Sequence, residues 1–256
     1  MEIIKLTHQK NFRDLGGITL ANGKTLKKGM LIRGTTLRKL KNFDIKLLKE
    51  KYKLKTIVDL RTKKEADERS DDKIEGVSYH HFPILSEAVV GISNEKKAHS
   101  LKSLWLMPKM EDLYKNMVKG ESQENLVKVL KFVLTLPPDQ YSVAFHCTAG
   151  KDRTGILAAL LLTFLGANRR EIIEDYLYTN KTTKKKAFFV YIALLVGQFN
   201  PKLAKKIRMY YIAKKDYIES ALDSLVAEYG SLENFFDKKL QLSPEEKAAI
   251  IEKFSA

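Results

Sequence analysis

The chain has 256 residues, of which 44% are hydrophobic, and it carries a formal net charge of +15. This length and composition predict a folded globular protein of one large domain or two small ones, and they exclude a disordered or fibrous chain. Its single cysteine excludes an internal disulfide bond. No stretch of the sequence reaches the roughly 18–20 apolar residues of a membrane span.

The first third of the sequence alternates strand and helix patterns. Asn22-Gly23 is a tight-turn signal between two strand patterns, and Asn42 is a helix-capping residue. In chain order we predict a β-hairpin over 16–33, a helix over 42–52, a strand over 55–60, a charged loop with a short helix over 63–75, and a strand over 78–83.

The remainder of the sequence is mainly helical. Asn168 and Ser243-Pro244 are clear helix starts. We predict helices over 111–119 and 122–136, a strand over 141–145, helices over 154–165 and 169–178, and helices from 184 to the end with a break at 197–201. There is no internal repeat and no linker, so we predict a single domain over 1–256.

The positive charge is concentrated in residues 181–215. This segment contains ten lysines and arginines and no acidic residue, and several aromatic residues lie among them. Such a pattern fits a membrane-surface helix, a lid over an anionic substrate, or a core helix with solvated ends. Nothing in the chain matches a DNA- or RNA-binding module, so no nucleic-acid partner is expected.

The most informative stretch is His146–Gly155, with the sequence HCTAGKDRTG. It lies between a predicted buried strand and an apolar helix, where a loop can turn its amides inward beside the positive end of the helix dipole. Such a loop is an anion cradle. The same features, with Arg153, favour the thiolate of Cys147 over the thiol. The arginine fork can hold two phosphate oxygens at once.

This loop resembles the active-site loop of the protein tyrosine phosphatase superfamily, and in its full form the bacterial tyrosine/lipid branch known as triple-specificity phosphatases. Stretches at 11–17, 31–37, 57–61 and 229–231 fit the same family, so the resemblance covers nearly the whole chain. It implies an α/β fold with a mostly parallel central sheet flanked by helices, a helical lid at 181–215, and C-terminal helices.

The loop chemistry and the resemblance together assign roles to the loop residues. We expect Cys147 to attack phosphorus, Arg153 to hold the phosphate, and Thr154 to donate a hydrogen bond to the leaving sulfur. The substrate-binding residues are expected to be His146, Thr148, Ala149, Gly150 and Lys151. By resemblance, Lys151 contacts extra phosphates on an inositol ring. No metal and no cofactor are expected, because the amides and Arg153 supply the charge stabilisation.

The leaving oxygen also needs a proton from a general acid. The first candidate is Asp152, since an aspartate at this place is proposed to do that work in the similar myotubularin-type lipid phosphatases. The second is Asp59, at the carboxyl end of a predicted parallel strand, where catalytic groups gather; it could instead pair with Arg61 or Arg33. Asp14 is a third candidate, or it caps a turn.

The sequence therefore predicts a cysteine-dependent phosphatase that acts on phosphotyrosine and on phosphoinositide or phosphoserine/threonine monoesters. The alternatives are a rhodanese-like sulfurtransferase, which also holds a cysteine in an anion-binding loop, and an inactive phospho-binding module. The expected partners are a phosphorylated protein or a phosphoinositide, with membrane-surface contact through residues 181–215. A cytoplasmic location is expected, or a secreted one if a leader has been removed.

Overall fold

A computed structural model of the protein describes residues 1–85, 107–197 and 200–256. Within these ranges six strands form one sheet. They are β1 (Glu2–Ile3), β2 (Arg13–Asp14), β3 (Leu31–Gly34), β4 (Thr56–Asp59), β5 (Ser78–His81) and β6 (Val143–His146).

The sheet has the strand order β1-β2-β3-β6-β4-β5. The pairs β3–β6, β6–β4 and β4–β5 are parallel, and the two pairs at the β1 edge are antiparallel. The prediction of a mostly parallel central sheet is confirmed. His146 at the end of β6 lies in register with Gly34 and with Asp59. Three strands therefore end at one edge, and the loop after β6 begins there.

Helices surround this sheet. Those in the described ranges are α1 (Asn42–Lys46), α2 (Lys63–Glu68), α3 (Met110–Met117), α4 (Gly120–Thr135), α5 (Asp152–Phe164), α6 (Arg169–Tyr178), α7 (Asn180–Val196), α8 (Pro201–Met209), α9 (Lys215–Tyr229), α10 (Leu232–Leu240) and α11 (Pro244–Phe254). A π-helical turn continues α1, and a 3₁₀ turn precedes β6.

The helix after the loop, α5, is apolar on all sides because it is covered on all sides. Its residues from Ile156 to Leu162 are buried, and it packs against β3, β6 and the helices α4, α6, α9 and α10. A helix with no solvated face is held by its neighbours rather than by its own polar surface. Its first residues are consequently fixed relative to the end of β6.

Most predicted elements are present, with several differences. The helices predicted from 184 to the end have further breaks at 210–214, 230–231 and 241–243. The predicted helix over 42–52 is divided into α1 and a π-helical turn over Leu47–Lys51. Between Gly16 and Arg33 the predicted hairpin is reduced to bridges such as Thr19 with Thr25, and a regular strand begins only at Leu31. Two predicted caps are confirmed: Asn168 accepts a hydrogen bond from the Glu171 amide, and Ser243 accepts one from the Glu246 amide. The prediction that Asn42 caps a helix is wrong, because Lys41 is the N-cap of α1 and Asn42 is already its first helical residue.

The basic segment forms two helices, α7 and α8, which pack against each other. Across the described ranges of the chain, none of the helices combines the length and the apolar content needed to cross a bilayer.

Candidate active site

The loop from His146 to Arg153 connects β6 to α5, as predicted. Cys147 follows the strand directly and is buried, and Arg153 is the second residue of α5. The turn between them is made by Gly150, whose φ of 63° lies in the left-handed region. A Cβ on Gly150 would lie 2.4 Å from the carbonyl oxygen of Gly34. The loop is therefore in close contact with the end of β3.

The carbonyl groups of the loop are fixed from one side. Asn11 Nδ2 donates to the carbonyls of Gly150 at 3.0 Å and Ala149 at 3.3 Å, and Arg33 Nη2 donates to the Gly150 carbonyl at 3.0 Å. A trans peptide points its C=O and the next N–H in opposite directions. The amides of Gly150 and Lys151 are therefore turned away from Asn11 and Arg33, as an anion cradle requires.

A buried charge network holds these donors in place. Asp175 bridges Arg13, with Oδ1 2.6 Å from Nε, and Arg33, which bonds its Oδ2; all three side chains are buried. Burial alone would raise the pKa of Asp175, but the two arginines lower it below its ordinary value. Burial and the neighbouring Arg33 lower the pKa of Arg13 to about 10, although Asp175 partly opposes this. Arg13 also donates to Asn11 Oδ1 at 2.6 Å.

Arg153 is held by a carboxylate from α2. Its Nη1 lies 2.6 Å from Glu65 Oε2 and its Nη2 3.0 Å from Oε1, the paired geometry in which a guanidinium binds best. Burial lowers the pKa of Arg153, but the bonds to Glu65 and the charge of Cys147 raise it above its ordinary value. Burial raises the pKa of Glu65, but Arg153 and Thr148 bring it down to about 2. Both groups are charged throughout the physiological range.

Asp152, at the first position of α5, is partly exposed, and its Oδ1 is held from two sides. The Tyr114 hydroxyl lies 2.7 Å from it and Lys151 Nζ 3.2 Å. The Tyr114 hydroxyl also lies 2.7 Å from that of Tyr176. No hydrogen bond to Oδ2 is found from any described residue. The carboxyl group is thus oriented through Oδ1.

The Lys151 side chain is buried and connects the loop to the residues that follow α8. Its Nζ donates to the carbonyls of Tyr210 at 2.7 Å and Ile212 at 3.2 Å, in addition to its ion pair with Asp152. An ammonium group has three N–H donors, and these three oxygens account for all of them.

With this geometry in view, comparison with known proteins decides the family. The model of a protein family described as the tyrosine phosphatase family matches residues 4–256. The chain belongs to the tyrosine phosphatase family. The resemblance inferred from the loop is confirmed.

Two relatives align with this phosphatase over most of their lengths. A putative tyrosine-protein phosphatase of Cupriavidus necator is 24% identical over 246 residues, which cover 91% of this chain and 82% of the relative. The triple specificity protein phosphatase PtpB of Mycobacterium tuberculosis is 25% identical over 262 residues, which cover 91% and 92%. A solved structure of PTPMT1 in complex with PI(5)P is 13% identical, with a TM-score of 0.36, and the match covers 77% of this chain and 90% of that one. So low a likeness carries no argument about the substrate.

Of the other predicted acids in this phosphatase, Asp59 is completely buried at the end of β4. Arg61 Nη2 donates to its Oδ2 at 2.6 Å, and the Tyr79 hydroxyl donates to the same oxygen at 2.7 Å. Burial raises the pKa of Asp59, but Arg61 and the charge of His146 lower it to about 2. A carboxylate held in this way has no proton to donate at neutral pH. Asp14 accepts hydrogen bonds from the amides of Gly16 and Gly29 and so caps turns.

Asp59 also belongs to a group of potential metal ligands. It, Asp71 and His146 place ligand atoms within 4.8 Å of one another, the one group of this kind that the described part of the chain contains. Arg61 Nη2 lies 2.6 Å from Asp59 and 2.9 Å from Asp71, so a guanidinium already supplies the positive charge. His146 Nε2 lies 2.9 Å from Asp71. We assign Asp59 and Asp71 to an ion-pair network centred on Arg61 that lies beside His146.

The remaining predicted residues lie on the loop or just after it. Thr148 is exposed, and its hydroxyl donates to Glu65 Oε1 at 2.7 Å. Ala149 is exposed beside it. Thr154 Oγ1 is buried, and no residue that the structure describes gives it a hydrogen-bond partner. It makes no hydrogen bond to the sulfur of Cys147 in this structure, and its predicted bond to the leaving sulfur stays a prediction.

Sequence reasoning missed the two side chains that hold Arg153 and Asp152. Glu65, which holds Arg153, is the third residue of α2, and Thr62-x-x-Glu65 is readable as a capping box. That signal indicates a helix start and not an arginine partner. Tyr114, which holds Asp152, has no sequence signal at all, because its spacing to Met110, Leu113 and Met117 indicates only the buried face of a helix.

Replacing Gly150 with alanine tests how closely the loop fits against β3. We expect the Gly150→Ala enzyme to lose about 10²-fold in kcat/KM, since displacing catalytic groups by about 1 Å has this effect. Gly23→Ala is the matched control, because Gly23 also has a positive φ of 78° but nothing within 4 Å of an added Cβ. It should lose only stability, by about 1 kcal/mol. Equal activity in the two variants would contradict the close fit.

Proposed function

We propose that the protein is a cysteine-dependent phosphatase that hydrolyses phosphotyrosine and also phosphoinositide and phosphoserine/threonine monoesters through a phosphocysteine intermediate. One observation carries the proposal: Cys147 and Arg153 share a loop whose carbonyls are tied back by Asn11 and Arg33, which leaves its amides for an anion. The breadth of substrates is supported by the name of the relative PtpB, a triple specificity phosphatase.

In the first step, the thiolate of Cys147 attacks phosphorus in line with the leaving oxygen. The new S–P bond forms as the P–O bond breaks, and Asp152 gives its proton to the departing oxygen. Arg153 and the loop amides hold the equatorial oxygens and stabilise the charge that develops on them. Glu65 keeps the guanidinium in position, and the Tyr114 hydroxyl fixes the orientation of the Asp152 carboxyl group through its hydrogen bond to Oδ1.

In the second step, water attacks the phosphocysteine. Asp152, now a carboxylate, takes a proton from the water as its oxygen bonds to phosphorus. The S–P bond breaks, and the sulfur leaves as a thiolate to which Thr154 donates a hydrogen bond. Inorganic phosphate is released, and the enzyme returns to its starting state.

The assay that tests this function uses p-nitrophenyl phosphate, with Cys147→Ser as the inactive control. Turnover by the wild type and none by Cys147→Ser is the expected result. A sulfurtransferase would instead move sulfur from thiosulfate to cyanide, and an inactive binding module would bind phosphate without turning anything over. A panel of a phosphotyrosine peptide, a phosphoserine peptide and mono-phosphorylated phosphoinositides then ranks the substrates.

The role proposed for Asp152 predicts a changed pH profile. A general acid stops working as it loses its proton, so activity falls on the side of rising pH. Asp152→Asn should remove that limb and lower kcat by about 10²-fold or more, with the larger loss on substrates with poor leaving groups. Asp59→Asn is the comparison and should keep the limb. An unchanged bell-shaped profile in Asp152→Asn would eliminate Asp152 as the acid.

We also propose that Lys151 contacts an inositol phosphate. To do so its ammonium must exchange the carbonyls of Tyr210 and Ile212 for phosphate oxygens, and hydrogen bonds to a charged acceptor are about twice as strong as those to a neutral one. Lys151→Ala should therefore reduce phosphoinositide turnover about tenfold more than p-nitrophenyl phosphate turnover. Equal losses on both substrates would show that Lys151 only positions the loop.

The second partner that we propose is an anionic membrane surface, met by the basic residues of 181–215. Charge complementarity supports it, since lysines near a bilayer surface are attracted by acidic lipids.

A further inference from the structure

One face of α7 is apolar and exposed. Phe188 is 53% exposed, Phe189 68% and Val196 79%, and Ile192 is exposed between them. At 100° per residue these four side chains lie within about 100° of the helix circumference. Ala187, by contrast, is completely buried. The helix thus has a packed side and an opposite side that presents a continuous apolar stripe. The surfaces of soluble monomeric proteins seldom carry such a stripe unless a partner binds there.

The charges of the segment that carries this stripe all have one sign. Lys181, Lys184 and Lys185 are exposed on the first turns of α7, and Lys202 and Lys205 are exposed on α8. The whole segment from 181 to 215 has ten basic residues and no acidic one. An apolar stripe in a segment whose charges are all basic is complementary to a surface that is acidic outside and apolar beneath.

The helix pair is joined to the catalytic loop at its base. Asn180 exchanges two hydrogen bonds with the backbone of Ala213, at 2.8 and 2.9 Å. Lys151 of the loop bonds the carbonyls of Tyr210 and Ile212. Hydrogen bonds therefore connect α7, through residues 210–213, to the catalytic loop.

We propose that α7 docks in the plane of an anionic lipid bilayer, with Phe188, Phe189, Ile192 and Val196 inserted among the acyl chains and the lysines on the headgroups. Its 17 residues span about 26 Å, and its basic first turns suit a helix that lies on a membrane rather than across it. The inference rests on the proposed function, since a phosphoinositide phosphatase finds its substrate on such a surface.

Flotation of the full chain with vesicles tests the docking directly. The wild type should float with phosphatidylcholine vesicles that contain about 30% phosphatidylserine and should stay in solution with pure phosphatidylcholine. The double variant Phe188→Ser/Phe189→Ser should bind the acidic vesicles at least about tenfold more weakly. Lys184→Glu/Lys185→Glu should weaken binding as well, and added salt should weaken the binding of the wild type.

Matched controls come from α1 and the turn that continues it. Phe43 is 67% exposed and Lys49 is exposed nearby, so Phe43→Ser and Lys49→Glu make the same changes outside the segment and should bind as the wild type does. All variants should hydrolyse p-nitrophenyl phosphate normally. A wild type that does not hydrolyse p-nitrophenyl phosphate would overturn the proposed function. A wild type that hydrolyses it but does not bind vesicles would overturn only the docking.

Two further outcomes would also overturn the docking. If the wild type is a dimer that Phe188→Ser/Phe189→Ser converts to a monomer, with no change in vesicle binding, the stripe is an interface between two copies of the chain. If the phenylalanine variants bind vesicles as tightly as the wild type does, the lysines alone account for the attraction and no insertion takes place.

Discussion

An Arg153→Lys enzyme is expected to hydrolyse p-nitrophenyl phosphate about 10³-fold more slowly than the wild type, which corresponds to about 4 kcal/mol of lost transition-state stabilisation. The reason is geometric, because arginine and lysine each carry one positive charge. The guanidinium has donors on several edges, and Glu65 uses one edge through Nη1 and Nη2. The variant has a single ammonium nitrogen. It cannot bond both carboxylate oxygens of Glu65 and at the same time hold two phosphate oxygens.

The measurement is kcat/KM together with the binding of vanadate as an analogue of the transition state. Both should fall in Arg153→Lys, and Arg170→Lys on the exposed surface of α6 should change neither. Glu65→Gln is a useful companion, since it keeps the shape of the side chain and removes its charge; a smaller loss of about tenfold is expected. If Arg153→Lys stays within tenfold of the wild type, the guanidinium fork is not the phosphate clamp.

The sequence was sufficient to predict the parts of the site that lie close together along the chain. The strand, the loop and the helix from β6 to α5 are continuous, and their residue types fix the local structure. A glycine at the turn, an apolar run after it and a capping residue before α6 each act over a few residues. The same holds for the parallel sheet, because strand and helix patterns alternate along the first part of the chain.

The contacts that position the site were not predictable in the same way. Glu65 and Arg153 are 88 positions apart, and Asn11 and Gly150 are 139 apart. Their meeting depends on where α2 packs and on where β2 pairs within the sheet, which no local pattern records. The side chain of Lys151 illustrates the same limit. Its position in the loop indicated a phosphate contact, but its direction is set by two carbonyls that follow α8.

The N-terminal motif shows how a resemblance can locate residues without explaining them. Arg13 and Arg33 both lie in stretches that fit the family, and Asp175 lies in neither. In the structure, Asp175 forms an ion pair with both buried arginines and so offsets the repulsion between their charges. Through Arg33 and Asn11 it is connected to the carbonyl groups of the catalytic loop, so one buried acid supports both the fold and the site.

Asp175→Asn should therefore destabilise the protein by about 3–5 kcal/mol, because it leaves two buried guanidinium groups facing each other without a counter-charge. The depressed pKa of Asp175 gives the sign of the pH dependence. Its contribution is complete above the ordinary aspartate value of 3.8 and is lost as the pH falls through the lower folded value.

Urea unfolding at neutral and acidic pH measures both effects, with Asp223→Asn, an exposed partner of Arg169, as the control. The difference in unfolding free energy between wild type and Asp175→Asn should shrink as the pH falls below that value. A stability within about 1 kcal/mol of the wild type at neutral pH would mean that Arg13 and Arg33 do not depend on this carboxylate.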